Sequence, residues 1–204
     1  IVHWPAGIRS RGELRHQFHH VIDVAPTFLE LAKLPQPLMV NGVEQQPIEG
    51  ISMAYTFNDP GAAERHETQY FEILGNRGIY HKGWTAVTAH NTPVSRRPLP
   101  KLEDDIWELY DTNTDWTQAN DLSQKYPEKL RELQRHFLIE AAKYNVLPLD
   151  DRAAYRADPD LAGRPVLAKE RKQRLYSGIG RLNAFCVINI KNKSHRLKAE
   201  IVVP

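Results

Sequence analysis

Thr68-Gln69-Tyr70-Phe71-Glu72-Ile73, Arg77-Gly78-Ile79-Tyr80-His81 and Trp84-Thr85-Ala86-Val87-Thr88 follow one another with the turn signals Gly75-Asn76 and Lys82-Gly83 between them. Aromatic and β-branched residues at every second position, broken by Gly and Asn, ask for an antiparallel sheet with one buried face. A fourth run, Trp107-Glu108-Leu109-Tyr110-Asp111, comes after a Pro-rich loop. From Pro127 the period changes. Leu130, Leu133, Phe137, Leu138, Ala141 and Tyr144 fall three or four apart, and Pro127 suits a first helical turn. The stretch therefore predicts a small four-stranded sheet carrying one long helix. Trp84 and Trp107 are expected to face the same core as Leu130, Leu133 and Phe137, because neither a small sheet nor a lone helix is stable by itself.

Working outward toward the N-terminus, Ile1 to Trp4 is a short apolar run suited to pairing with strands from outside the chain, and Pro5 and Gly7 end it. Asp23 is placed as an N-cap for a helix reaching Lys33, with Pro26 in its first turn and Val24, Phe28, Leu31 and Ala32 as its apolar stripe. Asn41-Gly42 reads as a tight turn. His16, His19 and His20 just before the helix have a spacing that can hold a metal, but no carboxylate or thiol completes a set. Ser52 is not read as a nucleophile, since Ala54 stands where the second glycine of a nucleophile elbow would be.

Toward the C-terminus, residues 89–106 form a Pro-rich, charged loop of a length that is usually functional or disordered. His90, Arg96 and Arg97 are its substrate-side candidates for an anion, because guanidinium groups match the oxygens of an oxyanion in pairs; the competing reading is a solvated loop, and His90 is expected at an exposed position in either case. Asp104-Asp105 and Asp150-Asp151 are expected to be solvated or ion-paired. Beyond Tyr144 the pattern breaks up at Pro148, and residues 150–174 are charged and poor in large apolar side chains. Alternation resumes at Val187, Ile188 and Ile190 and continues through Leu197, Ala199 and Ile201.

Twenty-seven basic against 25 acidic residues leave a net charge of +2, too little for a nucleic-acid surface. No apolar run approaches about 18 residues, so no membrane-spanning segment is expected. The single cysteine, Cys186, excludes an intrachain disulfide and a multi-cysteine zinc site. That agrees with a cytoplasmic setting or with a disulfide-free periplasmic one. The chain begins at Ile1 and stops at Pro204 within an alternating run, as a fragment would.

Several of these residues carry a resemblance. Tyr80-His81-Lys82-Gly83-Trp84, Trp107-Glu108-Leu109-Tyr110-Asp111 and Asn120-Asp121-Leu122 resemble the end of a type I sulfatase, where a hairpin with a Gly-Trp pair precedes an E-L-Y-D/N run and a later N-D-L. Ile1-Val2-His3-Trp4-Pro5 is similar to that family's G-G-I-R-V-P strand, and His20 to Thr27 to its H-V-I-D-x-A-P-T helix start. Gly50 to Phe57 is similar to its G-x-S-M-A-Y-T-F segment. Ile190 to His195 resembles the tail of its bacterial, long-tailed arylsulfatases.

The resemblance implies an α/β parent fold of the alkaline-phosphatase type. Residues 1–60 would then be the end of its catalytic domain, 61–147 a C-terminal subdomain of sheet and helix, 148–184 an irregular charged linker and 185–204 the start of a further β domain. It also implies an arylsulfatase-type sulfuric ester hydrolase acting on a small sulfate ester, with formylglycine as nucleophile and a calcium ion held by oxygen ligands. Cys186 is followed by Val187-Ile188-Asn189, and no serine here begins the C/S-x-P/A-x-R motif from which formylglycine is made. Neither catalytic nor metal-binding residues can be carried onto this chain, and alone it is expected to be inactive. The alternatives are a phosphoesterase or phosphonate hydrolase of the same superfamily, and a non-enzymatic binding module.

Overall fold

In the computed structural model, the described residues are 1–92, 99–152, 173, 187, 188, 190, 192–196 and 198. The chain divides into a compact unit at Ile1–Leu149 and a second at Asp150–Pro204. In the second, Ile188 donates its N–H to Gln173 Oε1 at 3.0 Å, and the Arg152 guanidinium meets Asp150 at 2.8 Å. Most of the expected 148–184 linker and of the alternating runs after Phe185, with Arg96, Arg97 and Cys186, lies outside the described residues.

The first unit opens with irregular chain. Ile1 to Trp4 is exposed and pairs with no strand. A 3₁₀ turn at Val21–Asp23 runs into α1, Val24–Leu31. The Asp23 side chain does not cap α1 as its place before the helix suggested; it reaches back and accepts the His20 N–H at 2.8 Å. Lys33, at φ 55°, marks the helix exit. A hairpin of β1, Met39–Val40, and β2, Val43–Glu44, turns at Asn41 and Gly42, whose φ values of 50° and 80° are what a tight reversal requires.

β3, Thr68–Ile73, β4, Asn76–His81, β5, Trp84–Thr88, and β6, Glu108–Asp111, make an antiparallel sheet in chain order. Cross-strand partners Tyr70, Ile79, Ala86 and Leu109 form one row on the inner face. Onto that row packs α2, Pro127–Lys143, through Leu133, Phe137 and Ala141. Trp84, Trp107 and Leu130 close around the same cluster, and the Trp107 ring meets Phe137 edge-on at 5.9 Å. The sheet, the helix and the shared core expected from the sequence are all present. Ile79, Leu109 and Leu133 are fully buried and Phe137 nearly so, so most of the apolar area that stabilises the unit lies in this layer.

The residues of the E-L-Y-D and N-D-L runs meet. Asp121 Oδ1 accepts the N–H of Leu109 at 2.9 Å and that of Ser123 at 2.9 Å, and Leu122 donates its N–H to Leu109 O at 2.8 Å. Burial alone would raise the Asp121 carboxyl, but these donors hold it below its ordinary value. Gly83, at φ +81°, sits where an added Cβ would fall 2.1 Å from the Asn113 side chain, and its carbonyl accepts both the N–H and the hydroxyl of Thr112.

Candidate functional site

The outer face of the sheet carries Phe71, Gly78 and Val87 in one row and Gln69, Tyr80, Thr85 and Tyr110 in the next. The N-terminal segment packs over part of it, with Phe18 stacked on Tyr80 at 3.9 Å between ring centres and His20 edge-on to Phe71 at 5.5 Å. An open groove of about 950 Å³ runs beside β3, with His20, His66, Glu140 and Tyr144 in its lining.

Beside His20 lies Asp23, whose side chain is fully buried. Its Oδ1 accepts the Ile51 N–H at 2.8 Å, and His66 Nδ1 donates to the carboxylate at 2.8 Å. Gln69 Nε2 donates to Tyr70 O, which turns its Oε1 toward His66 Nε2 at 3.1 Å. Both nitrogens of the His66 ring therefore face acceptors. Burial alone would raise the Asp23 carboxyl; the N–H groups of His20 and Ile51 and the His66 ring outweigh it and hold the carboxyl below its usual range. His19 Nδ1 lies 3.6 Å from the same carboxylate, too far for a hydrogen bond, and burial lowers its pKa. Gly50 packs so closely against this turn that an added Cβ would meet Ile22 O at 2.1 Å.

His90 sits elsewhere than its loop position suggested. Its side chain is fully buried, with Nδ1 2.9 Å from both oxygens of Asp105. Arg77 donates to Asp105 from the other side and to Leu102 O at 3.0 Å, beneath the Trp107 ring. The His90 N–H donates to Asn76 Oδ1 at 2.8 Å, and Asn76 Nδ2 donates to Asn91 O at 2.8 Å. The view of His90 as an exposed loop position is thus corrected: the β3–β4 turn and the buried carboxylate draw it inward. Together these contacts tie the two roots of the 91–104 excursion to each other. Asp105, one of the paired carboxylates, is ion-paired as expected.

These arrangements position chain rather than present reactive groups. Ser52 Oγ accepts the Ala54 N–H at 3.3 Å, a turn contact. Glu49, Glu72, Glu108 and Glu140 are among the groove's lining residues, and Arg77 beside them is committed to Asp105. Neither buried carboxylate fits a calcium ion, because the oxygens of Asp23 and Asp105 are occupied by N–H and imidazole donors where a cation would need open lone pairs. Among the described residues His16, His19 and His20 do not form a three-ligand cluster, and one occurs instead at His81, Glu132 and His136. Sequence reasoning missed His66 and the partner of Asp105, both of which pair with residues far away along the chain.

No model of a known protein family matches the chain. An uncharacterized sulfatase of Schizosaccharomyces pombe is 25% identical over 160 residues, covering 74% of this chain and 26% of the relative. Among solved structures, one in complex with D-glucosamine-2-N,6-O-disulfate is 22% identical with a TM-score of 0.43, covering 64% of this chain and 25% of its own. Another, from work on glycosaminoglycan metabolism by Bacteroides thetaiotaomicron, is 22% identical with a TM-score of 0.47, covering 69% of this chain and 28% of its own. The curated relative is a sulfatase, as the runs at Trp107 and Asn120 lead one to expect, and this chain, which spans about a quarter of the relative's length, is similar to sulfatases.

Proposed function

We propose that the chain is the C-terminal portion of an arylsulfatase-type sulfuric ester hydrolase with an alkaline-phosphatase-like parent fold, whose nucleophile and calcium ligands lie upstream. The observation that carries the reading is the junction at Leu109, where the E-L-Y-D and N-D-L runs meet through Asp121 and Leu122. Two stretches that resemble the sulfatase end in order along the sequence thus act on one another in space, and a relative found independently is a sulfatase.

In this reading the chain supports a cleft and performs no bond-breaking itself. His90, Asp105 and Arg77 fix the roots of the loop that bears Arg96 and Arg97. Arg96 and Arg97 are the candidate cations for a sulfate ester, because a guanidinium group matches its oxygens in pairs, and His90 acts as a positioning residue for their loop. A small-molecule sulfate ester is the substrate. Formylglycine would supply the attacking oxygen and calcium the charge compensation, neither of them held by this chain's described residues.

The test is a comparison of the protein encoded by the whole gene with the 204-residue chain alone, each given p-nitrophenyl sulfate and p-nitrophenyl phosphate. The whole protein is expected to cleave the sulfate ester and the chain alone neither. Cleavage of the phosphate alone would place the protein with the phosphoesterases, and cleavage of neither by the whole protein would leave a binding module.

A further inference from the structure

His81 closes β4, and Glu132 and His136 stand four apart on one face of α2. One ligand atom from each lies within 4.8 Å of the others, and all three side chains are half-buried. The two imidazoles are stacked at 4.1 Å between ring centres with 22° between their planes. Two elements distant in sequence thus deliver two nitrogens and a carboxylate oxygen to one place.

We propose that His81, Glu132 and His136 form a divalent transition-metal site of the zinc type, which pins α2 to β4. Two imidazoles and one carboxylate are a common zinc donor set, with bonds of about 2.0–2.2 Å and a remaining position left to water. Binding a common ion would require the three side chains to close in from separations of up to 4.8 Å. A supporting partner is already present. His81 Nδ1 lies 2.7 Å from Thr68 Oγ1, so with its Nδ1–H donated to the hydroxyl the lone pair stands on Nε2. Lys129 Nζ, 2.9 Å from Glu132 Oε1, is the competing cation; it is a point charge on a flexible stem and yields to a metal. Nitrogen donors select zinc, copper or nickel over a hard cation, so this site is separate from the calcium of the proposed hydrolase. It stands whether or not that reading does.

The experiment titrates the 204-residue chain with zinc chloride by calorimetry, and with cobalt(II) by visible absorption. One equivalent should bind, calcium should not compete, and zinc should raise the melting temperature. His136→Ala and Glu132→Gln, checked by circular dichroism for an intact fold, should each weaken zinc binding at least about tenfold and lose the thermal shift. Thr68→Val, which leaves all three ligands, should weaken it about tenfold. Binding that is unchanged in His136→Ala and Glu132→Gln, because other histidines such as His16, His19 and His20 hold the metal, overturns the proposal. So does a wild-type chain that binds no zinc, whose stacked rings would then be packing alone.

Discussion

Removing one side chain at His90 separates an exposed loop residue from a buried anchor. Its ring lies fully buried against Asp105, and His90→Ala would leave one side of that carboxylate facing a void, with Arg77 as its remaining ion-pair partner among the described residues. An unsatisfied buried acceptor costs about 1–3 kcal/mol, so His90→Ala should lower the unfolding free energy by that amount, read as a lower urea midpoint with an unchanged denaturant slope. A shift near zero would return the residue to the surface. Asp23 makes a pH-dependent contribution. Its folded pKa lies below the unfolded one, so the native state holds the proton less readily. The stability it supplies is complete above about pH 3.9, the ordinary value, and is lost as pH falls through the depressed one. Denaturant melts from pH 6 down to about pH 2 should show an acid limb that Asp23→Asn flattens; identical limbs would remove Asp23 from the account.

The layer formed by β3 to β6 and α2 makes the next test. Phe137 is 2% exposed between the Tyr70–Leu109 row and Trp107, and Phe137→Ala should cost about 3–5 kcal/mol. A loss below about 1 kcal/mol would mean that sheet and helix do not share a core. This layer was legible in the sequence because its signals are local: alternation along Thr68–Ile73 and Trp84–Thr88, a change of period after Pro127, and glycines at the turns. Asn41-Gly42 was legible for the same reason. What spacing cannot carry is who pairs with whom at long range. His66 meets Asp23 across 43 positions and Asp105 meets Arg77 across 28, and neither partner's identity is marked by the residues beside it. The same limit explains His90, whose loop position suggested solvent until Asn76 and Asp105 fixed where its ring goes. It also hid the gathering of His81 with Glu132 and His136, which only the packing of α2 on β4 creates.

Across the first unit, the residues that resemble a sulfatase turn out to be those with structural work. Asp23 gathers the 3₁₀ turn, the Ile51 strap and His66, while Gly83 and Asp121 hold the two ends of β6 in place. The resemblance lies in positions where a substitution strains the backbone or strands a buried carboxylate.

The junction at Leu109 also bears on how such chains behave when crowded. β6 is an end strand of the sheet, and an end strand normally offers unpaired N–H and C=O groups to any passing chain. Here the outward N–H and C=O of Leu109 are already taken by Asp121 and Leu122. Self-association by strand addition is therefore blocked on that side at its central residue, and intermolecular growth of the sheet would have to start from β3.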